Sequence, residues 1–235
     1  MLPLPSDLKQ QFSHFNLERP SVWEPSASQI TEDILLGNLS AALDFEGTHK
    51  RHNITAVVTL IDPITAAKMA ELDEFKKLGD KHHVVVCIDK DEQRLLPHLP
   101  GICAFIESQL GTTPTNCTPP TQASYAHATK ASSLVPAAAT NLSAAAPTAQ
   151  APARPTPRIL VHCVAGRSRS PTAVAAYLMK SRAINVAQAL QMIQSARPCA
   201  NPRDTFWAEL RLWSEFCCDA SCTPPAAVAE AEGTF

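Results

Sequence analysis

The sequence predicts an α/β fold, in which one sheet is covered by helices. Short apolar and β-branched segments alternate along the chain with longer segments that have helical spacing. The 235 residues are enough for one full domain with tails, and too few for two comfortable domains. A long segment of low complexity divides the alternating pattern, so we expect the domain to be assembled across it.

The elements before the low-complexity segment are predicted from apolar runs and their boundaries. Residues 53–61 (NITAVVTLI) form a β-branched run typical of a buried strand, and residues 83–88 (HVVVCI) form a second one. Between them, residues 65–79 have the composition of one helix closed by a glycine. Residues 99–110 (LPGICAFIESQL) are predicted to form a helix with a proline in its first turn.

The elements after that segment continue the alternation. Residues 158–163 (RILVHC) predict a short strand, which leads through a Gly-Ser turn into a helix at residues 171–180. Residues 185–198 begin with an Asn-x-x-Gln capping pattern. Residues 204–216 predict an amphipathic last helix. Its core-facing side chains are expected to be Phe206, Leu210 and Trp213, with Trp207 as a further candidate.

The low-complexity segment, residues 112–157, consists mainly of Ala, Pro and Thr and contains one aromatic and two charged residues. Such a composition cannot build a core, and ordinary connections rarely exceed about 12 to 15 residues. We therefore predict a disordered insertion within a single domain that covers residues 20–218. Residues 1–19 and 219–235 are predicted to be disordered tails.

Composition and charge exclude several classes of partner. The net charge of −2 and the pI near 6.4 give no general attraction to nucleic acid or to an anionic membrane. No apolar run reaches the roughly 18 residues that a membrane-spanning helix needs. The N-terminal residues also lack the layout of a signal peptide. We expect a monomer in the cytoplasm or nucleus, without nucleic-acid or membrane partners.

The eight cysteines are irregularly spaced, which favours reduced thiols over a disulfide framework. Cys217, Cys218 and Cys222 lie close enough together to invite a metal site. No second Cys or His pair at zinc-finger spacing completes four ligands, so the sequence predicts no metal.

Residues 162–170 (HCVAGRSRS) carry the strongest chemical signal, because they join a predicted strand to a predicted helix. Unpaired N–H groups and the helix dipole favour an anion at such a junction. A thiolate at Cys163 would face those N–H groups, so its pKa should be lowered and it would be nucleophilic. Arg169 offers a planar fork for two phosphate oxygens. The motif predicts a pocket for a phosphomonoester.

The other residues of this segment have supporting parts in the same prediction. Gly166 permits a tight turn, Ser170 can donate a hydrogen bond to the sulfur, and His162 orients the loop. The departing oxygen still needs a proton, so an acidic residue elsewhere must act as general acid. The predicted phosphate-binding residues are Val164, Ala165, Gly166, Arg167, Ser168 and Arg169.

VHCVAGRSRS resembles the signature loop of the dual-specificity protein phosphatases, in which AG and SRS flank one variable position. The resemblance implies a central mixed sheet with helices on both sides, like that of protein tyrosine phosphatases. It also implies a phosphocysteine intermediate, no metal and no cofactor, and substrates containing phosphotyrosine and phosphoserine or phosphothreonine. It covers about residues 30–216 outside the insertion, which is the main departure from the family.

In that family, the general acid is an Asp that follows the apolar strand. It lies about sixteen residues before the aromatic residue of a Phe-Ile pair; counting back from Phe105 gives Asp89. Asp91 is the competing candidate, although it can also be a turn or helix-start residue. Asp62, after the other strand, is expected to be structural.

Other functions stay open at this point. The chain could be a phosphate-binding scaffold without catalysis, although intact Cys163, Arg169, Ser170 and Asp89 argue against decay. It could also act on a phosphoinositide or an RNA 5′-phosphate, although only Arg167 adds a basic residue to the loop.

The sequence also leaves two possible roles open for each of two side chains, Arg167 and Cys87. Arg167 could favour acidic peptides or highly charged phosphates, or simply face solvent. Cys87 could form a disulfide with an oxidised Cys163, or be an apolar strand residue.

Overall fold

The computed structural model describes residues 24–112 and 156–217. The strands of its sheet are β1 (Ala27–Gln29), β2 (Ile34–Gly37), β3 (Ile54–Ile61), β4 (His82–Val86) and β5 (Arg158–His162), in the spatial order β1-β2-β5-β3-β4. Strands β2, β3, β4 and β5 run parallel, and β1 pairs antiparallel with β2. The sheet is therefore mixed, as predicted.

Helices follow the strands, and sequence signals mark several of their ends. The helices are α1 (Leu39–Leu43), α2 (Pro63–Glu71), α3 (Asp73–Leu78), α4 (Leu99–Leu110), α5 (Arg169–Arg182), α6 (Val186–Ala196) and α7 (Asp204–Cys217). Asp62 caps α2, where Pro63 is the first helical residue. Asn185 and Gln188 form the predicted capping box of α6. Shorter helical turns occupy Phe45–His49, Lys50–His52, Gly79–Lys81 and Leu96–His98.

The strands alternate their side chains between two hydrophobic clusters, one on each face of the sheet. In β2, Ile34 and Leu36 belong to the larger cluster, while Leu35 belongs to the smaller. Helices α4 to α7 cover the larger cluster, and α1, α2 and α3 cover the smaller. This arrangement confirms the predicted sheet with helices on both sides. In α7, Phe206, Leu210 and Trp213 are buried, and Trp207 packs partly buried against the larger cluster.

The prediction of one helix over residues 65–79 is wrong. Leu72 has extended backbone, with ψ of 130°, and separates α2 from α3. Met69 and Phe75 both enter the smaller cluster. Six residues apart on one continuous helix, they would point in different directions. The break at Leu72 lets both side chains reach the same core.

Two strand boundaries also differ from the sequence prediction. Strand β1 was not predicted, because three residues without an apolar run give no strand signal. Strand β4 ends at Val86, whereas the apolar run continues to residue 88. The predicted tails and residues 113–155 of the predicted insertion lie outside the described residues.

A chain of polar side chains runs beneath the end of β5. The Oγ1 atom of Thr59 lies 2.8 Å from Nε2 of His82 and 2.8 Å from Nε2 of His162. The Nδ1 atom of His162 lies 3.3 Å from the carbonyl oxygen of Cys163. Burial lowers the pKa of His162 to about 3 and that of His82 to about 4. Both rings are therefore neutral at pH 7.

We expect these histidines to make stability depend on pH. An unfolded histidine titrates near pH 6.5, so the unfolded state gains protons below that pH while the folded rings stay neutral. The free energy of unfolding should fall from about pH 7.5 to about pH 5.5, with a slope of up to about 1.4 kcal/mol per pH unit from His162. Urea unfolding at the two pH values measures this fall.

Substitution of His82 provides the control for that prediction. His82→Gln keeps a hydrogen-bonding group near Thr59 but cannot take up a proton, so part of the pH dependence should disappear. Identical slopes in the wild type and in His82→Gln would contradict the assignment.

Candidate active site

Cys163 lies at the carboxyl end of β5, a central strand of the sheet, and its side chain is 1% exposed. The loop after it leads directly into α5, whose cap is Ser168 and whose first residue is Arg169. The first N–H groups of α5 are therefore available to an anion beside the sulfur. The hydroxyl of Ser170 donates to Sγ of Cys163 over 3.2 Å.

The surroundings of the sulfur favour a thiolate. Burial alone raises the pKa of Cys163, but the charge of Arg169 opposes that effect. The hydroxyl of Ser170 and the backbone N–H groups of Ser170 and Arg167 lower it further. Together these groups lower the pKa of the thiol below its ordinary value, as the sequence predicted.

Each carbonyl from Val164 to Ser168 accepts a hydrogen bond from outside the loop. Because the C=O and the following N–H of a trans peptide point in opposite directions, outward carbonyls turn the N–H groups inward. Inward N–H groups form an anion-binding concavity. The donors are Leu39 N to Val164 O, Arg197 Nη2 to Ala165 O, Arg197 Nε to Gly166 O, Asn201 N to Arg167 O, and Thr172 N to Ser168 O.

Gly166 is required by both conformation and space. Its φ of +64° lies in the left-handed region, and an added Cβ would come within 2.5 Å of Gly37 O. The same Cβ would lie 2.7 Å from Nη2 of Arg197. Arg197 is buried, and its Nη1 also donates to the hydroxyls of Ser26 and Ser28. Arg197 therefore joins the first strand region to the back of the loop.

Arg169 is held in the site with part of its guanidinium free to bind a ligand. Its Nη1 donates to the carbonyl oxygen of Cys87 over 3.0 Å. Its Nε is buried and has no hydrogen-bond partner among the described residues. A buried donor of this kind costs free energy unless a ligand accepts from it. An oxyanion beside Cys163 would meet that requirement.

The structure brings Asp89 to the loop. Its Oδ1 accepts from the Ser168 hydroxyl over 2.9 Å and from Nε of Arg203 over 2.9 Å. Asp91 accepts from Nη1 of Arg203 over 3.3 Å. Asp62 instead caps α2 and accepts from the N–H and hydroxyl of Thr65, which is the expected structural role.

An open cleft of about 730 Å³ adjoins the loop. Arg167 is exposed at its rim. Sequence reasoning missed Arg203 and did not place Trp207 in a site, because neither carries a motif. The cleft is lined by Asp89, Asp91, Arg167, Ser168, Asn201, Pro202, Arg203, Asp204, Thr205 and Trp207.

Cys87 lies next to the same site, in surroundings that disfavour its thiolate form. Burial raises its pKa to about 12, against the opposing charge of Arg169. Because the thiolate is the form that attacks an oxidised sulfur, a protonated Cys87 is a poor partner for a disulfide. The disulfide hypothesis stays a prediction, and the environment of Cys87 disfavours it.

Within 24–112 and 156–217, no group of three or more His, Cys, Asp or Glu side chains is arranged to hold a metal ion. Cys218 and Cys222 lie outside the described residues, as does the side chain of Cys217. None of the helices in the described ranges has both the length and the apolar character needed to cross a bilayer.

Ser170→Ala should raise the pKa of Cys163, because it removes a hydrogen bond to the thiolate. A bond of about 1 kcal/mol corresponds to a shift of roughly 0.7 pH units. The pH dependence of iodoacetamide alkylation at Cys163 measures the shift. Ser195→Ala, an exposed change in α6, is the matched control. If the pH dependence of alkylation were the same in Ser170→Ala and in the wild type, the hydrogen bond from Ser170 to Cys163 would be contradicted.

Comparison with known proteins gives one consistent family. The family model "Dual specificity phosphatase, catalytic domain" matches residues 126–216. Human dual specificity phosphatase 28 is 46% identical over 70 residues, which are 28% of this chain and 40% of the relative. Dual specificity protein phosphatase 1 of Arabidopsis thaliana is 51% identical over 53 residues, which are 23% of this chain and 27% of the relative. The chain thus matches less than half the length of these curated relatives.

Solved structures show the same fold. The crystal structure of human DUSP28 superposes with a TM-score of 0.54 at 23% identity, covering 82% of this chain and 95% of that chain. The Yvh1 phosphatase domain from Chaetomium thermophilum superposes with a TM-score of 0.54 at 23% identity, covering 81% of this chain and 96% of that chain. With the family model and the curated relatives, these likenesses point the same way: residues 126–216 match the dual specificity phosphatase catalytic domain, and the chain is similar to members of that family in sequence and in fold.

Proposed function

We propose that the chain is a protein phosphatase, which hydrolyses phosphotyrosine and phosphoserine or phosphothreonine through a phosphocysteine at Cys163. One observation carries the proposal: a thiol of lowered pKa lies against an anion-binding loop whose carbonyls are all turned outward. Such a site stabilises a transferring phosphoryl group and supplies its nucleophile.

In the first step, Sγ of Cys163 attacks phosphorus, and an S–P bond forms as the P–O bond to the substrate breaks. The electron pair leaves with the substrate oxygen, which takes a proton from Asp89. The Arg169 side chain and the backbone N–H groups of residues 165–169 hold the equatorial phosphate oxygens. Bound at the loop, the phosphate lies near Asp89, whose Oδ1 accepts from Ser168.

In the second step, water attacks phosphorus and the S–P bond breaks. Asp89, now a carboxylate, takes the proton of that water, as microscopic reversibility requires. The Ser170 hydroxyl donates to the sulfur and stabilises the departing thiolate. His162 supports the loop through the carbonyl of Cys163, and Thr59 holds its ring.

The substrate class follows from the family and from the shape of the cleft. The relatives that match this chain are named dual specificity phosphatases. The cleft beside the loop is open and mostly polar, which suits an extended phosphopeptide. Cytoplasmic or nuclear residence, a monomeric state and the absence of nucleic-acid and membrane partners belong to the same proposal. Fluorescent fusions and light scattering would test location and mass.

The direct test compares substrates and variants. The wild type should hydrolyse phosphotyrosine and phosphothreonine peptides in preference to a phosphoinositide or a 5′-phosphorylated RNA. Asp89→Asn should reduce turnover by roughly 10²-fold or more, the usual contribution of a general acid. Asp91→Asn is the matched control and should have a much smaller effect.

The same experiment can reject the proposal. A wild type that binds vanadate but hydrolyses nothing under reducing conditions would identify a phosphate-binding scaffold instead. A wild type that prefers the phosphoinositide would change the substrate class. If Asp91→Asn lost more activity than Asp89→Asn, the acid would be Asp91.

A further inference from the structure

Arg203 precedes α7 and contacts the segment that carries the proposed acid. Its Nε donates to Asp89 Oδ1 over 2.9 Å, and its Nη1 donates to Asp91 Oδ1 over 3.3 Å. One guanidinium therefore donates hydrogen bonds to two carboxylates, and the bond to Asp89 is the shorter of the two. The hydrogen bond and charge of Asp89 raise the pKa of Arg203, so Arg203 stays charged throughout the working range.

The segment between β4 and the turn at Leu96–His98 has its firmest backbone contacts at its two ends. At the start, Cys87 N donates to Ile61 O, and Arg169 donates to Cys87 O. At the far end, the buried Glu209 accepts from the N–H groups of Leu95 and Leu96. Between these ends, the described contacts that tie the segment to the rest of the fold include the carboxylates of Asp89 and Asp91.

The two carboxyl oxygens of Asp89 have different hydrogen-bond partners and therefore different roles in proton transfer. Oδ1 accepts from both the Ser168 hydroxyl and Arg203 Nε. In a neutral carboxyl group, the oxygen that accepts two donors is the carbonyl oxygen, and the other oxygen carries the proton. Oδ2 is then the oxygen that delivers the proton to the leaving group.

We propose that Arg203 is a positioning residue that fixes the orientation of the Asp89 carboxyl group for proton transfer. This inference rests on the proposed function, because it assumes that Asp89 is the acid. Arg203 acts through Asp89 and does not touch the reacting atoms. After the proton has left, the same contact stabilises the carboxylate that receives a proton from water in the second step.

The competing interpretation is an ordinary surface ion pair. The side chains of Arg203 and Asp89 are 42% and 35% exposed, and such pairs contribute little to stability. Arg203→Ala should therefore fold with a thermal midpoint close to that of the wild type. A loss of activity in a stably folded variant cannot then be attributed to unfolding.

The test uses the dependence of kcat/KM on the leaving group, which reports the step that needs the acid. A series of aryl phosphates runs from nitrophenols, which leave readily, to phenol, which needs protonation. Arg203→Ala should lose about tenfold on phenyl phosphate, a part of the ~10²–10⁴ that a positioned acid contributes. The loss on nitrophenyl phosphates should be much smaller. Arg203→Lys should restore part of the phenyl phosphate rate.

A double-mutant cycle shows whether Arg203 acts through Asp89. In the Asp89→Asn background, Arg203→Ala should cause little further loss on phenyl phosphate. Arg211→Ala, an exposed arginine change in α7, is the matched control and should leave the series unchanged.

Two outcomes would overturn the inference: an equal loss on every ester, or additive losses in the double variant. A faster phenyl phosphate reaction in Arg203→Ala would show that Arg203 restrains the acid, which also overturns it. If the wild type hydrolyses no ester, the proposed function itself fails.

Discussion

Cys163→Ser should reduce hydrolysis of phosphate esters by roughly 10⁴-fold or more, the scale seen when an enzyme loses its nucleophile. A serine hydroxyl stays protonated near neutral pH, whereas the charge of Arg169 and the nearby N–H groups lower the pKa of the Cys163 thiol. Turnover of a small aryl phosphate under reducing conditions measures the loss.

The variant also separates binding from chemistry. Because the loop and Arg169 are unchanged, Cys163→Ser should still bind a phosphotyrosine peptide. Cys199→Ser, a change at an exposed cysteine, should retain full activity. Substantial turnover by Cys163→Ser would show that the nucleophile lies elsewhere.

Arg169→Lys should have the second largest effect, because a lysine keeps the charge but loses the planar fork. We expect kcat/KM to fall by roughly 10²–10³, the usual cost of removing an oxyanion donor. The change also removes the donor to Cys87 O and the buried Nε, which has no hydrogen-bond partner among the described residues. Steady-state kinetics and vanadate affinity measure both consequences.

Arg182→Lys gives the matched control, since Arg182 is exposed at the far end of the same helix. It should leave both measurements unchanged. If Arg169→Lys bound vanadate as tightly as the wild type, the guanidinium would not be the phosphate ligand. The alkylation rate of Cys163 at neutral pH reports independently how the change at residue 169 affects the pKa of the thiol.

Contiguous features of the fold could be predicted from the sequence. Residues 53–61 gave β3, residues 99–110 gave α4, and the Asn185 capping pattern marked the start of α6. These succeed because apolar periodicity and caps act over neighbouring residues. The break at Leu72 could not be predicted, because it depends on where Met69 and Phe75 meet the distant smaller cluster.

The candidate site likewise contains residues that the sequence could predict and residues that it could not. Cys163, Arg169 and Ser170 stand in one short motif, and the resemblance to the dual-specificity phosphatases implies Asp89 through its distance from Phe105. Leu39, Arg197 and Asn201 hold loop carbonyls through contacts between segments far apart in the chain. A donor to a backbone carbonyl leaves no residue pattern at the accepting position, so these supports could not be found from one sequence.

The phosphocysteine at Cys163 is the central intermediate of the proposed mechanism. Rapid mixing with a phosphotyrosine peptide that carries radiolabelled phosphate, followed by acid quenching and peptide mapping, detects that intermediate. We predict label on the peptide that contains Cys163, more label in Ser170→Ala, and none in Cys163→Ser. Full turnover without label at Cys163, or label on another residue, would contradict the mechanism.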